Sequence, residues 1–115
     1  MKKIVFFVFK GDLMCFIHVL LNALDMHQKG YDVHIVIEGT ATKLIPELVT
    51  EGNPLFSLYK DTKDKNLIDG VCRACSNKMG TLKDAEAQGL RLLDDMSGHP
   101  SMANYINGGF EIITF

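Results

Sequence analysis

The chain alternates between short apolar runs, rich in β-branched and aromatic residues, and longer stretches whose apolar residues recur at helical spacing. Continuous apolar runs of this kind predict strands that are buried on both faces. The five predicted strands lie at residues 4–9, 33–37, 67–71, 90–93 and 110–115, the fourth being the weakest. Strands that alternate with helices predict a single domain over residues 1–115, a three-layer α/β/α sandwich around a five-stranded, mostly parallel sheet.

The longest helical pattern follows the first strand. Asp12 is a suitable N-cap, and Gly30 is a suitable residue to close the helix after Lys29. Beside the main apolar stripe runs a second stripe, formed by Cys15, Val19 and Met26. A helix that is apolar on more than one side is either deeply buried or partly covered by another subunit.

Two later helices carry start signals of their own. Thr81 and Asp84 resemble a capping box, which predicts a helix beginning after Thr81. Pro100 suits the first position of the last helix, with Ser97 or His99 as its cap.

Composition and charge exclude several classes of protein. A net charge of −2 without a basic run gives no electrostatic case for nucleic acid as a partner. No apolar run approaches the roughly 20 residues of a membrane span, and the six-residue run after Lys2-Lys3 is too short for a signal peptide. Three cysteines, an odd number, argue against a secreted disulfide scaffold. We therefore expect a cytoplasmic location.

The chemistry is predicted to lie at Cys72 and Cys75, the single Cys-x-x-Cys pair, directly after the third strand. Ligands of open α/β sheets bind beyond the carboxyl ends of the strands. A helix that starts after Cys72 would favour the thiolate, which is the reactive form, and Arg73 could add to this effect. Cys75 lies one helical turn further on and is either a resolving thiol or a passive core residue.

The stretch 71–80, Val-Cys-Arg-Ala-Cys-Ser-Asn-Lys-Met-Gly, and the ending 108–115, Gly-Gly-Phe-Glu-Ile-Ile-Thr-Phe, together with the apolar first strand, resemble the DsrE/DsrF-like family of small sulfur-handling proteins. The resemblance spans essentially the whole chain. It implies a sulfurtransferase or sulfur carrier, without a cofactor, in which Cys72 accepts sulfane sulfur as a persulfide and passes it to a partner thiol. It also implies sulfur donor and acceptor proteins or small thiols as partners, and a homotrimer or homohexamer, or a hetero-oligomer with sister subunits.

The loops that follow the first and second strands should rim the same site. Lys10 and Gly11 follow the first strand, and Glu38 and Gly39 follow the second. Together with Arg73 these residues are the predicted substrate-binding set. His99, in a loop after a strand-like segment, joins them as the one histidine on the ligand side, whereas His18 is expected on a surface and His27 and His34 in solvent.

Two other functions remain open from the residues alone. One is a non-catalytic binding or assembly module, in which the Cys15 stripe forms a subunit contact. The other is a dithiol redox protein that cycles Cys72 and Cys75, although the Cys pair does not follow an early strand as in thioredoxin-like proteins.

Metal and nucleotide chemistry have little support in the sequence. One Cys-x-x-Cys pair supplies two zinc ligands, no second pair follows, and His99 could join them only by an accident of folding. No metal is therefore expected. A dinucleotide fingerprint and a Walker phosphate-binding loop are both missing.

Overall fold

The computed structural model describes all residues from 1 to 115 and contains one five-stranded sheet. Its strands are β1 (Lys3–Val8), β2 (Asp32–Ile37), β3 (Ile68–Cys72), β4 (Leu92–Leu93) and β5 (Glu111–Thr114). Their order across the sheet is β4-β3-β2-β1-β5, and every neighbouring pair is parallel. The predicted five-stranded α/β sandwich is confirmed, with a sheet that is parallel throughout.

Six α-helices connect the strands: α1 (Leu13–Gln28), α2 (Ile45–Leu48), α3 (Phe56–Asp64), α4 (Arg73–Lys78), α5 (Leu82–Ala87) and α6 (Met102–Asn107). A 3₁₀ helix, Gly39–Leu44, leads into α2. The predicted cap of α1 is confirmed, because the side chain of Asp12 accepts a hydrogen bond of 2.8 Å from the N–H of Met14. None of these helices has the length and apolar character needed to cross a membrane.

The two faces of the sheet are covered unequally. Side chains of a strand alternate between faces, and Ile4, Phe6 and Val8 of β1 point into a core of 19 buried residues that α1, α2, α3 and α5 help to form. Val5 and Phe7 point the other way, into a core of only 3 buried residues. The helix on that second face is α6, which has no buried residue. Most of the apolar burial that stabilises the fold therefore lies on one side.

The second apolar stripe of α1 is mostly turned inward. Val19 is fully buried, and Cys15 and Met26 are partly buried. The apolar side chains that α1 exposes are instead Met14, at 79%, and Leu21, at 46%. Val19 thus follows the deep-burial alternative, whereas Cys15 and Met26 keep some exposed surface, and the subunit contact stays a prediction.

The prediction that the Thr81 side chain caps α5 is wrong. Helix α5 does begin after Thr81, but that side chain makes no capping bond. Its hydroxyl is buried and donates to the carbonyl of Thr42 at 2.9 Å, which ties α5 to the 3₁₀ helix. A buried hydroxyl needs a partner, and the partner here belongs to another element.

The last helix starts later than predicted. Pro100 is not its first residue, because α6 begins at Met102 with Ser101 in the cap position. Ser97 and His99, the predicted caps, belong to a tight turn before the helix, in which Ser97 has a φ of +50°. This turn holds His99 in a different place, at the thiols.

The edge strand β4 is short and lies very close to β3. Only two residue pairs join them, Val71 with Leu92 and Cys72 with Leu93. A Cβ atom on Gly70 would lie 2.7 Å from the carbonyl oxygen of Arg91, so glycine is required for this approach. The chain then continues from β4 into the loop that carries His99.

Candidate functional site

Four side chains meet beyond the carboxyl ends of three neighbouring strands. Glu38 directly follows β2, Cys72 is the last residue of β3, and His99 lies in the loop after β4. Cys75 joins them from the first turn of α4. One ligand atom from each of the four lies within 4.8 Å of all the others. We call these four residues the thiol cluster.

Cys72 lies at the centre of the thiol cluster. It occupies the N-cap position of α4, where its Sγ accepts a hydrogen bond from the backbone N–H of Cys75 at 3.4 Å. Its Sγ lies 3.1 Å from Nδ1 of His99 and 3.7 Å from the carbonyl oxygen of Gly98. Cys72 is fully buried, whereas Cys75 is partly exposed and its Sγ lies 3.8 Å from the same His99 nitrogen. The imidazole of His99 therefore lies within hydrogen-bonding distance of both sulfurs.

The loop after β4 is shaped to present His99. Met96 and His99 exchange two backbone hydrogen bonds, of 2.7 and 2.9 Å, which close a tight turn. Within it Gly98 adopts a φ of +89°, and a Cβ atom there would also lie 3.2 Å from that of Ala74. The carbonyl of Gly98 accepts a hydrogen bond of 2.9 Å from the N–H of Ala74. The turn is thus fixed to the beginning of α4, beside the cysteines.

Glu38 is held by a connection between the loops that follow β1 and β2. Thr40 donates from its hydroxyl to the carbonyl of Phe9 at 3.0 Å and accepts from the N–H of Gly11, also at 3.0 Å. Gly39, with a φ of +54°, lies directly against Phe9. These contacts turn the chain sharply after β2, and the Glu38 side chain is left buried at 9% exposure.

The electrostatics of the thiol cluster disfavour negative charge. Burial raises the pKa of Glu38 from 4.5 to about 7 and that of Cys72 from 9.0 to about 12. The backbone N–H of Cys75 acts in the opposite direction on Cys72 but does not compensate for burial. We expected the start of α4 to favour the Cys72 thiolate; the structure gives the opposite direction, because the sulfur is removed from water.

The cationic side chains near the cysteines do not reach them. Arg73 faces away and pairs with Asp94 at 3.5 Å on the surface. The carboxylate of Glu38 forms no hydrogen bond, and its ion-pair partner is His99, whose Nδ1 lies 3.9 Å away. The thiol cluster therefore contains three acidic groups and no permanent positive charge.

The structure brings together only part of the predicted substrate-binding set. Glu38 and His99 belong to the thiol cluster, whereas Lys10 is exposed outside it. Gly11 and Gly39 act through the backbone, in the loop connection that holds Glu38. Arg73 is turned toward Asp94 rather than toward the thiols.

Sequence reasoning missed a second polar group, on the face covered by α6. His34 was expected in solvent, but its Nε2 lies 2.8 Å from Asp32 and its Nδ1 lies 3.6 Å from Asp69. Asp69 also accepts a hydrogen bond from the hydroxyl of Tyr105 and lies 3.7 Å from Arg91. We call His34, Asp32, Asp69, Arg91 and Tyr105 the His34 cluster. No local pattern in the sequence indicated this group, because His34 and Asp69 lie on different strands, at an irregularity in the register of β2 and β3.

The remaining candidates lie outside both clusters. His18 and His27 are exposed on α1, as expected. Cys15 is partly buried on the same helix and unpaired.

Comparison with known proteins places the chain in an archaeal family. It is 31% identical to an uncharacterized protein of Methanocaldococcus jannaschii over 117 residues, which cover 96% of this chain and 93% of that protein. The chain belongs to the same family as that protein.

Two uncharacterized proteins of Archaeoglobus fulgidus match shorter parts of the chain. One is 37% identical over 59 residues, which cover 51% of this chain and 95% of that protein. The other is 51% identical over 37 residues, which cover 32% of this chain and all of that protein. No profile of a known protein family and no solved structure matches the chain.

Proposed function

We propose that the protein is a sulfur carrier, in which Cys72 holds sulfane sulfur as a persulfide and Cys75 is the thiol through which that sulfur enters and leaves. The observation that carries the proposal is the placement of two thiols around one imidazole at the carboxyl edge of a parallel sheet. The resemblance to DsrE/DsrF-like proteins, which implies the same chemistry at Cys72, supports it.

Sulfur enters at Cys75 because this is the accessible thiol. Its thiolate attacks the outer sulfur of a donor persulfide, R–S–SH, so that a new S–S bond forms on Cys75 and the donor leaves as R–S⁻. Exchange of this kind depends on access to the sulfur, and Cys75 is partly exposed whereas Cys72 is not.

The sulfur then moves inward. Cys72 gives its proton to Nδ1 of His99, 3.1 Å away, and attacks the outer sulfur on Cys75. The S–S bond of Cys75 breaks, Cys75 is released as the thiolate, and Cys72 carries the persulfide. The same two steps in reverse order deliver the sulfur to an acceptor thiol, so no external oxidant or reductant is consumed.

Burial of Cys72 affects the reactivity of its thiol and of its persulfide in different ways. It raises the pKa of Cys72 to about 12, which keeps the empty carrier protonated until His99 takes the proton. A persulfide in the same position is shielded from water and from small oxidants. The depth of Cys72 thus suits storage, and the exposure of Cys75 suits exchange.

Trypsin separates all three cysteines, which makes the proposal directly testable. Cleavage after lysine and arginine places Cys15 in the peptide 11–29, Cys72 in 66–73 and Cys75 in 74–78. The reduced protein is incubated with a small-molecule persulfide, alkylated to trap Cys–S–SH groups, digested and examined by mass spectrometry. We expect one added sulfur on the peptide 66–73, and none on 11–29.

Three variants sharpen this experiment. Cys75→Ser should leave Cys72 unloaded, because the entry thiol is gone, and Cys72→Ser should leave the sulfur on peptide 74–78. Cys15→Ser is the matched control and should load like the original chain. Loading of Cys72 in Cys75→Ser would contradict the relay, and a folded protein that gains sulfur on neither peptide would overturn the carrier function.

The two other functions are distinguished by the same digest. A dithiol redox protein would yield peptides 66–73 and 74–78 joined by a disulfide, and no trapped persulfide. An assembly module without thiol chemistry would yield unmodified peptides. The homotrimer or homohexamer implied by the resemblance stays a prediction, which light scattering coupled to gel filtration tests.

A further inference from the structure

We propose that Glu38, Cys72, Cys75 and His99 form a tetrahedral site for a divalent metal ion of the zinc type. The four donor atoms lie within 4.8 Å of one another. In a tetrahedral zinc site, bond lengths of about 2.3 Å to sulfur and 2.0–2.2 Å to nitrogen and oxygen set the donor atoms roughly 3.3 to 3.8 Å apart. The distances from His99 Nδ1 to Cys72, Cys75 and Glu38, which are 3.1, 3.8 and 3.9 Å, lie close to that range.

The chemistry of the donors selects the ion. Two thiolates, one imidazole and one carboxylate match the sulfur, nitrogen and oxygen ligands that zinc accepts in tetrahedral sites. Magnesium and calcium prefer oxygen alone, and copper(I) prefers sulfur and would leave the carboxylate without a role. A zinc-type ion is the one that uses all four groups.

The surroundings of the donors also point to a missing cation. The side chain of Glu38 is only 9% exposed, and its one basic neighbour is His99, whose Nδ1 lies 3.9 Å away. Arg73, the nearest basic residue in sequence to the thiols, is engaged with Asp94. A divalent ion would supply the positive charge that the protein itself does not provide at this position.

The backbone already positions two of the donors. Cys72 and Cys75 bracket the first turn of α4, and a hydrogen bond joins Cys72 Sγ to the Cys75 N–H. The turn at Gly98 is fixed to Ala74 and holds the His99 ring against both sulfurs. The other two donors come from distant parts of the chain, His99 from the loop after β4 and Glu38 from the end of β2. Their spacing along the sequence does not reveal that they meet.

The ion and the persulfide would use the same two sulfurs and so exclude each other in any one chain, but the two proposals are tested by different signals. The reduced, metal-free protein is titrated without oxygen, first with Co²⁺ as a spectroscopic probe and then with Zn²⁺ as a competitor. We expect one Co²⁺ per chain, with thiolate-to-cobalt absorption in the near ultraviolet and the intense visible bands of tetrahedral cobalt. Zn²⁺ should displace the cobalt and abolish these bands.

Single substitutions test whether all four residues are ligands. Partners one step removed from a metal change affinity about 10- to 100-fold, so loss of a direct sulfur ligand in Cys72→Ser or Cys75→Ser should weaken binding by more than about 100-fold. Glu38→Gln and His99→Ala should weaken it at least about 10-fold and change the visible bands. Cys15→Ser and His27→Gln are matched controls and should bind as tightly as the original chain.

Folding is checked for every variant by circular dichroism and a cooperative urea transition, so that lost binding is not confused with unfolding. Absence of tetrahedral bands from the folded original chain would overturn the proposal. Binding that depends on the two cysteines but is unchanged in both Glu38→Gln and His99→Ala would also overturn it, because the ion would then be held by a simple dithiol. Sulfur loading in the tryptic digest has no bearing on either outcome.

Discussion

The thiol cluster and the His34 cluster use similar side chains in opposite ways. Each combines a histidine with a carboxylate, and each draws residues from β2 and β3. In the His34 cluster, Asp69 and Asp32 raise the pKa of His34, and His34 lowers that of Asp69. In the thiol cluster, burial raises the pKa of both acids, Glu38 and Cys72. The surroundings stabilise the charged forms of the histidine and its aspartate in the His34 cluster and destabilise the charged forms of the two acids in the thiol cluster.

The directions of these pKa shifts have opposite consequences for folding stability. Paired charges whose pKa values move toward the charged form add to the free energy of unfolding. A raised pKa of an acid subtracts from it only where the unfolded group would ionise, so Glu38 costs stability at neutral pH and Cys72 only above about pH 9. The contrast supports the thiol cluster, rather than the His34 cluster, as the place of the proposed chemistry.

The largest expected effect is stabilisation by metal. Zn²⁺ at about 1,000 times its dissociation constant should raise the free energy of unfolding by up to about 4 kcal/mol, because it binds the folded chain. Urea unfolding with zinc and with a chelator measures the difference. Cys72→Ser should lose this gain, and Asp69→Asn should keep it. An equal gain in Cys72→Ser would place the ion elsewhere.

In the metal-free protein, Glu38→Gln should remove a pH-dependent loss of folding stability that Glu38 causes. The folded pKa of Glu38 is about 7, above its ordinary 4.5, so the folded state retains a proton that the unfolded chain has released. Stability therefore falls as pH rises from 4.5 to 7, by about 3 kcal/mol when the shift is complete.

The variant lacks this fall, and its stability relative to the original chain should increase over the same range. Urea midpoints measured across pH in the presence of a chelator test this expectation. A relative stability that stays flat, or that decreases with pH, would contradict the assignment of a raised pKa to Glu38.

Asp69→Asn should destabilise the fold by about 1–3 kcal/mol, because Asp69 accepts the hydrogen bond of Tyr105 and faces both His34 and Arg91. Equilibrium urea unfolding measures the loss. Asp64→Asn is a suitable control, since the pair of Asp64 with Lys60 is exposed and should leave the midpoint nearly unchanged. Similar midpoints for the two variants would mean that the His34 cluster does not stabilise the sheet.

His34→Gln gives the smallest effect. It is a loss of stability at low pH that fades as pH rises, whereas Glu38→Gln is a gain of stability that appears as pH rises. The pKa of His34 is raised above 6.5, so its stabilising contribution is complete below pH 6.5 and is lost as pH rises through the higher folded value. Between the pKa of Asp69 and pH 6.5, the variant should lose up to about 1 kcal/mol. The deficit should shrink in alkaline solution, and a deficit that grew there would be contrary to the assignment.

The sequence predicts the elements whose signals are local. The run of apolar residues in β1 and the Asp12 cap of α1 were placed within one residue of their observed positions. The position of Cys72 at the end of β3 followed from the length of the preceding apolar run. Each of these features depends on neighbours along the chain, which is why periodicity and capping rules reveal them.

The rest of the site depends on contacts between distant residues. His99 reaches Cys72 across 27 positions, through a turn whose backbone bonds compete with the predicted helix start at Pro100. His34 was expected in solvent because its partner Asp69 lies on another strand. A single sequence gives no direct signal for such pairings; strand order and register supply them.

The residues of the thiol cluster are attached to the sheet unequally, because β4 pairs with β3 through only two residue pairs. Glu38 and Cys72 lie at the ends of the inner strands β2 and β3. His99 instead follows the edge strand β4, which two residue pairs attach to β3, in a turn that one backbone hydrogen bond fixes to Ala74. Fewer backbone bonds must break to lift that edge than to shift either inner strand. Local unfolding that starts at this edge would therefore displace His99 while Glu38 and Cys72 keep their places in the sheet.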